Sequence, residues 1–157
     1  MRDASESFRA EARAAFEACA VEQRYVFRRT FTEADVVAFV GVTWDLNPFH
    51  SDDVFARESG FGRRIVPGLL TGSMLTHIGG MLGFLATEMS FEFHAPVYLG
   101  ETITCEVIIV TKDEARRRVS AEVRCTNEAG IVVVAARFSG FPVRPRLLPA
   151  HGVNDAD

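Results

Sequence analysis

The sequence predicts an α+β fold, an antiparallel sheet curled around one long apolar helix, and three observations carry that reading. Residues 65–87 contain no Asp, Glu, Lys or Arg. From Met89 onward, apolar residues recur at every second position in four successive segments. Before the uncharged stretch lie three segments with helical periodicity and one short strand pattern. A sheet with one apolar face needs a cover, and a helix that is apolar all round needs to be wrapped. Each part supplies what the other lacks.

The elements follow in chain order. Residues 5–20 read as an alanine-rich helix with Phe8, Ala12, Phe16 and Cys19 on one face. Tyr25-Val26-Phe27 marks the first strand. Thr32-Glu33-Ala34-Asp35 resembles a capping box and starts a helix, with Val36, Val37, Phe39 and Val40 as its apolar face and Gly41 as its stop. A loop over residues 42–50 leads to a second short helix. Ser51-Asp52-Asp53 place acceptors and negative charge at its start, and Phe61-Gly62 ends it. Pro67-Gly68 opens the long helix, which is expected to run to about Ala86.

The period then changes from helical to alternating. Phe91, Phe93, Ala95 and Val97 form one set. Ile103, Cys105, Val107 and Ile109 form the next, followed by Val119, Ala121, Val123 and Cys125, then Val132, Val134, Ala136 and Phe138. Tyr98-Leu99-Gly100-Glu101, Lys112-Asp113-Glu114 and Asn127-Glu128-Ala129-Gly130 are the turns between these strands. The helix glycines are expected to let the sheet backbone approach closely. This order of elements is that of a hot-dog fold. Its curled sheet leaves an open edge strand, and pairing in a symmetric homodimer covers such an edge.

Length and composition narrow the function classes. The chain has 157 residues, enough for one domain with a sizeable core. Its formal net charge is −4, which provides no global field for nucleic acid. Anionic ligands would be met by local clusters such as Arg63-Arg64 or Arg116-Arg117-Arg118. The three cysteines show neither CxxC nor metal-ligand spacing, and their odd number fits free thiols in a reducing compartment, the cytoplasm. The first twenty residues are charged throughout and lack the apolar core of a signal peptide. Residues 65–87 are long enough to cross a bilayer. They also hold five glycines, Pro67 and His77, and no Trp or Tyr anchors their ends. A wrapped core helix, with no membrane span, is therefore expected.

One segment concentrates groups able to do chemistry, Asp45-Leu46-Asn47-Pro48-Phe49-His50. A carboxylate and an imidazole stand five residues apart in a stretch stiffened by proline. Facing one water molecule, such a pair can position it and take its proton. The same residue types are also ordinary turn formers. A single His with a few carboxylates is a poor metal set. A second segment, Gly62-Arg63-Arg64-Ile65-Val66-Pro67-Gly68-Leu69-Leu70, ends in a helix start whose amides can meet negative charge. It reads equally as a well-started core helix.

Together the two segments resemble the MaoC-like hydratase family, which includes the R-specific enoyl-CoA hydratases. The stretch FVGVTWDLNPFHSDDVFA, from Phe39 to Ala56, is similar to that family's signature through Asp45, Asn47, Pro48, His50 and Ala56. The following GFGRRIVPGLLTGSMLT resembles its next block, and Pro96-Val97-Tyr98-Leu99-Gly100-Glu101 the block after the helix. The resemblance runs from about Tyr25 to Val143. It implies a hot-dog domain over 25–143, with a helical extension over 1–24 and a tail over 144–157. It implies reversible hydration of a trans-2-enoyl thioester to the (R)-3-hydroxyacyl thioester, on coenzyme A or acyl carrier protein, by a homodimer needing neither metal nor redox cofactor. Asp45 and His50 would hold and activate water, and the Gly68 amide would polarise the thioester carbonyl. Asn47 would brace the loop, and Thr76 falls where the family often has a small hydroxyl residue near the site. Trp44 stands where the family commonly has Gly, and Pro67 where it commonly has His. Trp44, Arg63 and Arg64 are the candidate substrate contacts. Trp44 is expected either to anchor packing or to line an acyl tunnel.

Two other functions fit the same architecture. A hot-dog thioesterase would direct water at the carbonyl carbon. A non-catalytic module would only bind the acyl thioester.

Overall fold

The computed structural model describes residues 4–143. The expected tail over 144–157 lies outside the described residues. Helix α1 (Glu6–Ala18) is followed by strand β1 (Arg24–Thr30) and helices α2 (Glu33–Thr43), α3 (Pro48–Ser51), α4 (Asp53–Glu58), α5 (Gly68–Gly72) and α6 (Met74–Met81). Strands β2 (Phe84–Phe93), β3 (Thr102–Asp113), β4 (Arg118–Thr126) and β5 (Val132–Pro142) complete the chain. The strands form one antiparallel sheet in the order β1-β3-β4-β5-β2, so β1 and β2 are its edges.

The alternation in the sequence locates the core. Ile103, Cys105, Val107 and Ile109 of β3 are buried, as are Val119, Ala121, Val123 and Cys125 of β4 and Val134, Ala136 and Phe138 of β5. They share one cluster with Leu70, Met74, Leu75 and Ile78 of the central helices. This is a hot-dog fold. All three cysteines are free and buried, and Cys105 lies directly opposite Cys125 in the register.

Several boundaries differ from the sequence expectation. The long helix is two short ones, α5 and α6, separated at Ser73. Its last residues instead begin β2, because pairing of Phe84 and Leu85 with Pro142 and Phe141 satisfies the backbone as well as a helix would. No helix among the described residues is long and apolar enough to cross a membrane. Strand β2 ends at Phe93, so Ala95 and Val97 lie beyond it. Strand β3 runs on through Asp113, and the turn falls after it. Helix α2 continues past Gly41 to Thr43. On α1, Phe16 and Cys19 are buried as expected, but Phe8 is exposed and Ala15 takes its place.

The glycines also act differently from expectation. A Cβ at Gly68 would lie 2.9 Å from the Phe93 ring, and one at Gly72 would lie 2.9 Å from the Phe91 ring. Side chains of β2, not sheet backbone, press on the helix there. The close backbone approach is at Gly140 of β5, where a Cβ would come within 2.1 Å of the Leu85 carbonyl oxygen.

Candidate active site

Asp45 and His50 are placed by short-range hydrogen bonds. Thr43 Oγ1 donates to the Phe39 carbonyl at 2.8 Å and accepts from the Asp45 amide at 3.3 Å. The Asn47 amide donates to Asp45 Oδ1 at 3.3 Å, and the Phe49 amide donates to Asn47 Oδ1 at 3.2 Å. Asn47 is thereby the N-cap of α3, with Pro48 at its first position. The stretch read as a loop thus contains one helical turn, and His50 sits inside it.

A distant segment then orients the imidazole. His50 Nδ1–H donates to the Ile65 carbonyl oxygen at 2.8 Å. A carbonyl only accepts, so in the neutral ring Nε2 carries the free lone pair. Nε2 is 3.8 Å from Asp45 Oδ2, too far for a direct hydrogen bond and a suitable span for a bridging water. His50 is 7% exposed, whereas the Asp45 side chain is 42% exposed. The Ile65 amide donates back to the Phe49 carbonyl at 3.0 Å, and Ile65 also bridges to Tyr98.

A cavity of about 510 Å³ opens beside Asp45. Ile65, Gly68, Thr71, Phe93 and His94 are among its walls. His50 is buried and is not itself a wall residue. Gly68 is the first residue of α5, with Pro67 as its cap, so its amide has no partner within the helix. The Phe93 ring fills the space that a side chain at Gly68 would need.

The other expected site residues divide. Arg63 is exposed, with its guanidinium 4.2 Å from the Tyr98 ring centroid and 3.8 Å from Glu101 Oε1. Tyr98 in turn donates its hydroxyl hydrogen to the carbonyl of Phe61, a cavity residue. Arg64 is committed elsewhere. It donates to Glu33 Oε1 and Oε2 at 2.9 and 2.7 Å, and to Asp53 Oδ1 at 2.8 Å. The Glu33 hydrogen bonds first, then that from Asp53, hold its guanidinium above the ordinary range. Arg64 therefore ties the start of α2 to α4. Trp44 does not pack in the core. It is 82% exposed, because it caps α2 in the left-handed conformation at φ 59°, which turns the indole outward. It is not a wall of the cavity. Thr76 is also exposed, and its hydroxyl donates to the Ser73 carbonyl at 2.6 Å.

Thr71 and His94 line the cavity without a signal in the sequence, and Phe93, a core strand position by its alternation, instead lies against Gly68, one turn from Gly72. Among the described residues, no group of three or more His, Cys, Asp or Glu is arranged to hold a metal ion.

The chain is similar to known proteins over most of its length. Residues 16–130 match the family model described as "MaoC like domain". A relative from Rhodospirillum rubrum named (R)-specific enoyl-CoA hydratase is 29% identical over 74% of this chain and 83% of its own length. A 3-hydroxybutyryl-CoA dehydratase from Methylorubrum extorquens is 31% identical over 76% of this chain and 77% of its own. Among solved structures, an (R)-hydratase from A. caviae involved in PHA biosynthesis superposes with a TM-score of 0.75 and 28% identity, over 80% of this chain and 99% of that one. With these matches and an Asp-x-Asn-Pro-x-His turn set at the edge of an apolar cavity, the chain belongs to the MaoC-like domain family.

Proposed function

We propose that this protein is a hydro-lyase that reversibly hydrates a trans-2-enoyl thioester to the (R)-3-hydroxyacyl thioester. The observation that carries the proposal is the 3.8 Å separation of His50 Nε2 from Asp45 Oδ2, with Asp45 on the cavity wall. A water in that gap meets two acceptors and keeps a lone pair for attack. Its oxygen adds to C3 of the enoyl group, and one member of the pair takes its proton. The electron pair of the double bond moves onto the thioester oxygen. The Gly68 amide meets that charge, a contribution of about 3 kcal/mol for one well-placed donor. C2 then takes a proton from the pair, so that water is added across the bond and the site is restored. Dehydration is the same path reversed.

The R configuration and the coenzyme A thioester follow the names of the relatives. Acyl carrier protein is the other carrier the site could accept. Arg63, exposed and held only by a loose 3.8 Å ion pair to Glu101 and by the Tyr98 ring, is the side chain proposed to meet a carrier's phosphates. A homodimer is part of the same proposal. Edge strand β2 leaves Leu85, Met89 and Phe93 exposed, and a second copy would cover them. Three free buried thiols fit a reducing cytoplasm.

Crotonyl-CoA tests the reading. The expected result is loss of enoyl absorbance without thiol release, with (R)-3-hydroxybutyryl-CoA as product. Thiol release would make the protein a thioesterase, and no reaction would leave a binding module. Sedimentation at micromolar concentration should give a dimer; a monomer removes that part of the proposal.

A further inference from the structure

We infer that the Thr71 hydroxyl is a second donor to the thioester oxygen, beside the Gly68 amide; this rests on the hydratase reading. Thr71 is 1% exposed, yet it lines the cavity. Its Oγ1 is buried with no hydrogen-bond partner. That is unusual for a helical threonine, whose hydroxyl commonly bonds back to a carbonyl three or four residues earlier. The neighbouring hydroxyls do so. Ser73 Oγ donates to the Leu70 carbonyl at 2.7 Å, and Thr76 Oγ1 donates to the Ser73 carbonyl at 2.6 Å. The Pro67 carbonyl, four residues before Thr71, accepts the Thr71 amide at 3.1 Å and not its hydroxyl. Of these three hydroxyls, the one on the cavity wall is the one left unsatisfied.

Position gives the hydroxyl its target. Thr71 is three residues after Gly68, on the same face of α5. Helix side chains tilt toward the N-terminus, which carries Oγ1 over the turn that Gly68 begins. Most of the cavity walls, Val97, Val134 and the Phe93 ring among them, offer no acceptor side chain, and neither Asp45 nor His94, which do, bonds to Thr71 Oγ1. An enoyl thioester brings one strong acceptor into that space, the carbonyl oxygen. That oxygen gains charge as water adds at C3, so a donor aimed at it favours the transition state over the ground state. A buried donor without a partner is disfavoured in the empty protein and satisfied when the substrate is bound.

The test uses T71V, which keeps the shape and removes the hydroxyl, and T71S, which keeps the hydroxyl. On crotonyl-CoA, T71V should lower kcat by about 100-fold with little change in KM, the lower end of the range for loss of one such donor. T71S should return kcat to near the parent value. The melting temperature of T71V should hold or rise, because an unpaired hydroxyl is lost. An unchanged kcat in T71V overturns the inference, and so does a lower melting temperature with unchanged kcat. A second readout does not need turnover. Butyryl-CoA labelled with ¹³C at the carbonyl should show a lower carbonyl stretching frequency bound to the parent protein than bound to T71V. Equal frequencies overturn the inference. If the parent does not hydrate crotonyl-CoA but the frequencies differ, the hydratase reading falls and the Thr71 contact stands. Failure of butyryl-CoA to bind removes both.

Discussion

The two walls of the site are held in different ways. The Asp45 wall is built almost wholly from its own neighbours. Thr43, Asp45, Asn47 and Phe49 bond to one another across two to four residues, and Pro48 fixes the turn. The Gly68 wall is held from far along the chain. Phe91 and Phe93 of β2 lie against Gly72 and Gly68, and Ile65 is bridged to Tyr98. One wall is a local motif that carries the proposed catalytic pair. The other is a packing solution that sets shape. His50 joins them, since its backbone lies in the local turn and its ring is oriented by the Ile65 carbonyl.

The largest expected effects sharpen this contrast. Asp45→Asn and His50→Ala should each lower hydration by at least 10²-fold, in the range for loss of a general acid or base. Their stabilities should differ. Asp45 is half-exposed, so its variant should melt near the parent temperature. His50 is buried and bonded to Ile65, so its variant should lose about 1–3 kcal/mol in denaturant titration. Near-native turnover in either variant would remove the catalytic assignment. Equal stabilities would remove the claim that His50 joins the two walls.

Gly68→Ala comes next. The new methyl would meet the Phe93 ring at 2.9 Å. Phe93 is about half exposed, so the ring should move and the fold should survive. Activity should fall by about tenfold or more, since small misplacements at a reacting centre cost that much. Gly68→Ala with Phe93→Leu should recover part of the loss. If the single variant is fully active, the packed wall does not shape the reaction.

The adjacent arginines should then separate. Arg64→Met should lower stability by about 1 kcal/mol, because it removes the shared partner of two solvent-exposed carboxylates. Its KM should hold. Arg63→Ala should leave the melting temperature unchanged and raise KM for the coenzyme A thioester several-fold. A reversed pattern would return Arg64 to the substrate and make Arg63 structural.

The smallest effect concerns Trp44. A large side chain at φ 59° carries a backbone strain of about 1–2 kcal/mol that glycine would not. Trp44→Gly should therefore raise the melting temperature by a few degrees. A fall would mean that a second copy covers the indole, which would favour the dimer proposed above.

The sequence by itself determined the parts whose causes are local. Strict alternation over Ile103 to Ile109 and Val119 to Cys125 marks strands with one buried face, because side chains in a strand alternate by geometry. Helices α2 and α4 start through bonds only a few residues long: the Thr32 amide donates to the Asp35 carboxylate, and the Asp52 carboxylate accepts from the amides of Val54 and Phe55. The Asp45–His50 turn was legible for the same reason. Only the tertiary structure decided which of two equal local options was taken. Residues 84–87 suit helix or strand equally, and pairing with β5 made them strand. Arg63 and Arg64 are chemically alike, and the approach of Glu33, 31 residues away, together with Asp53, 11 away, committed Arg64. Thr71 and Thr76 are hydroxyls on one helical stretch, and the placement of the sheet buried the first and left the second in solvent. These choices rest on contacts between distant segments, and local pattern carries no record of such contacts until the chain has packed.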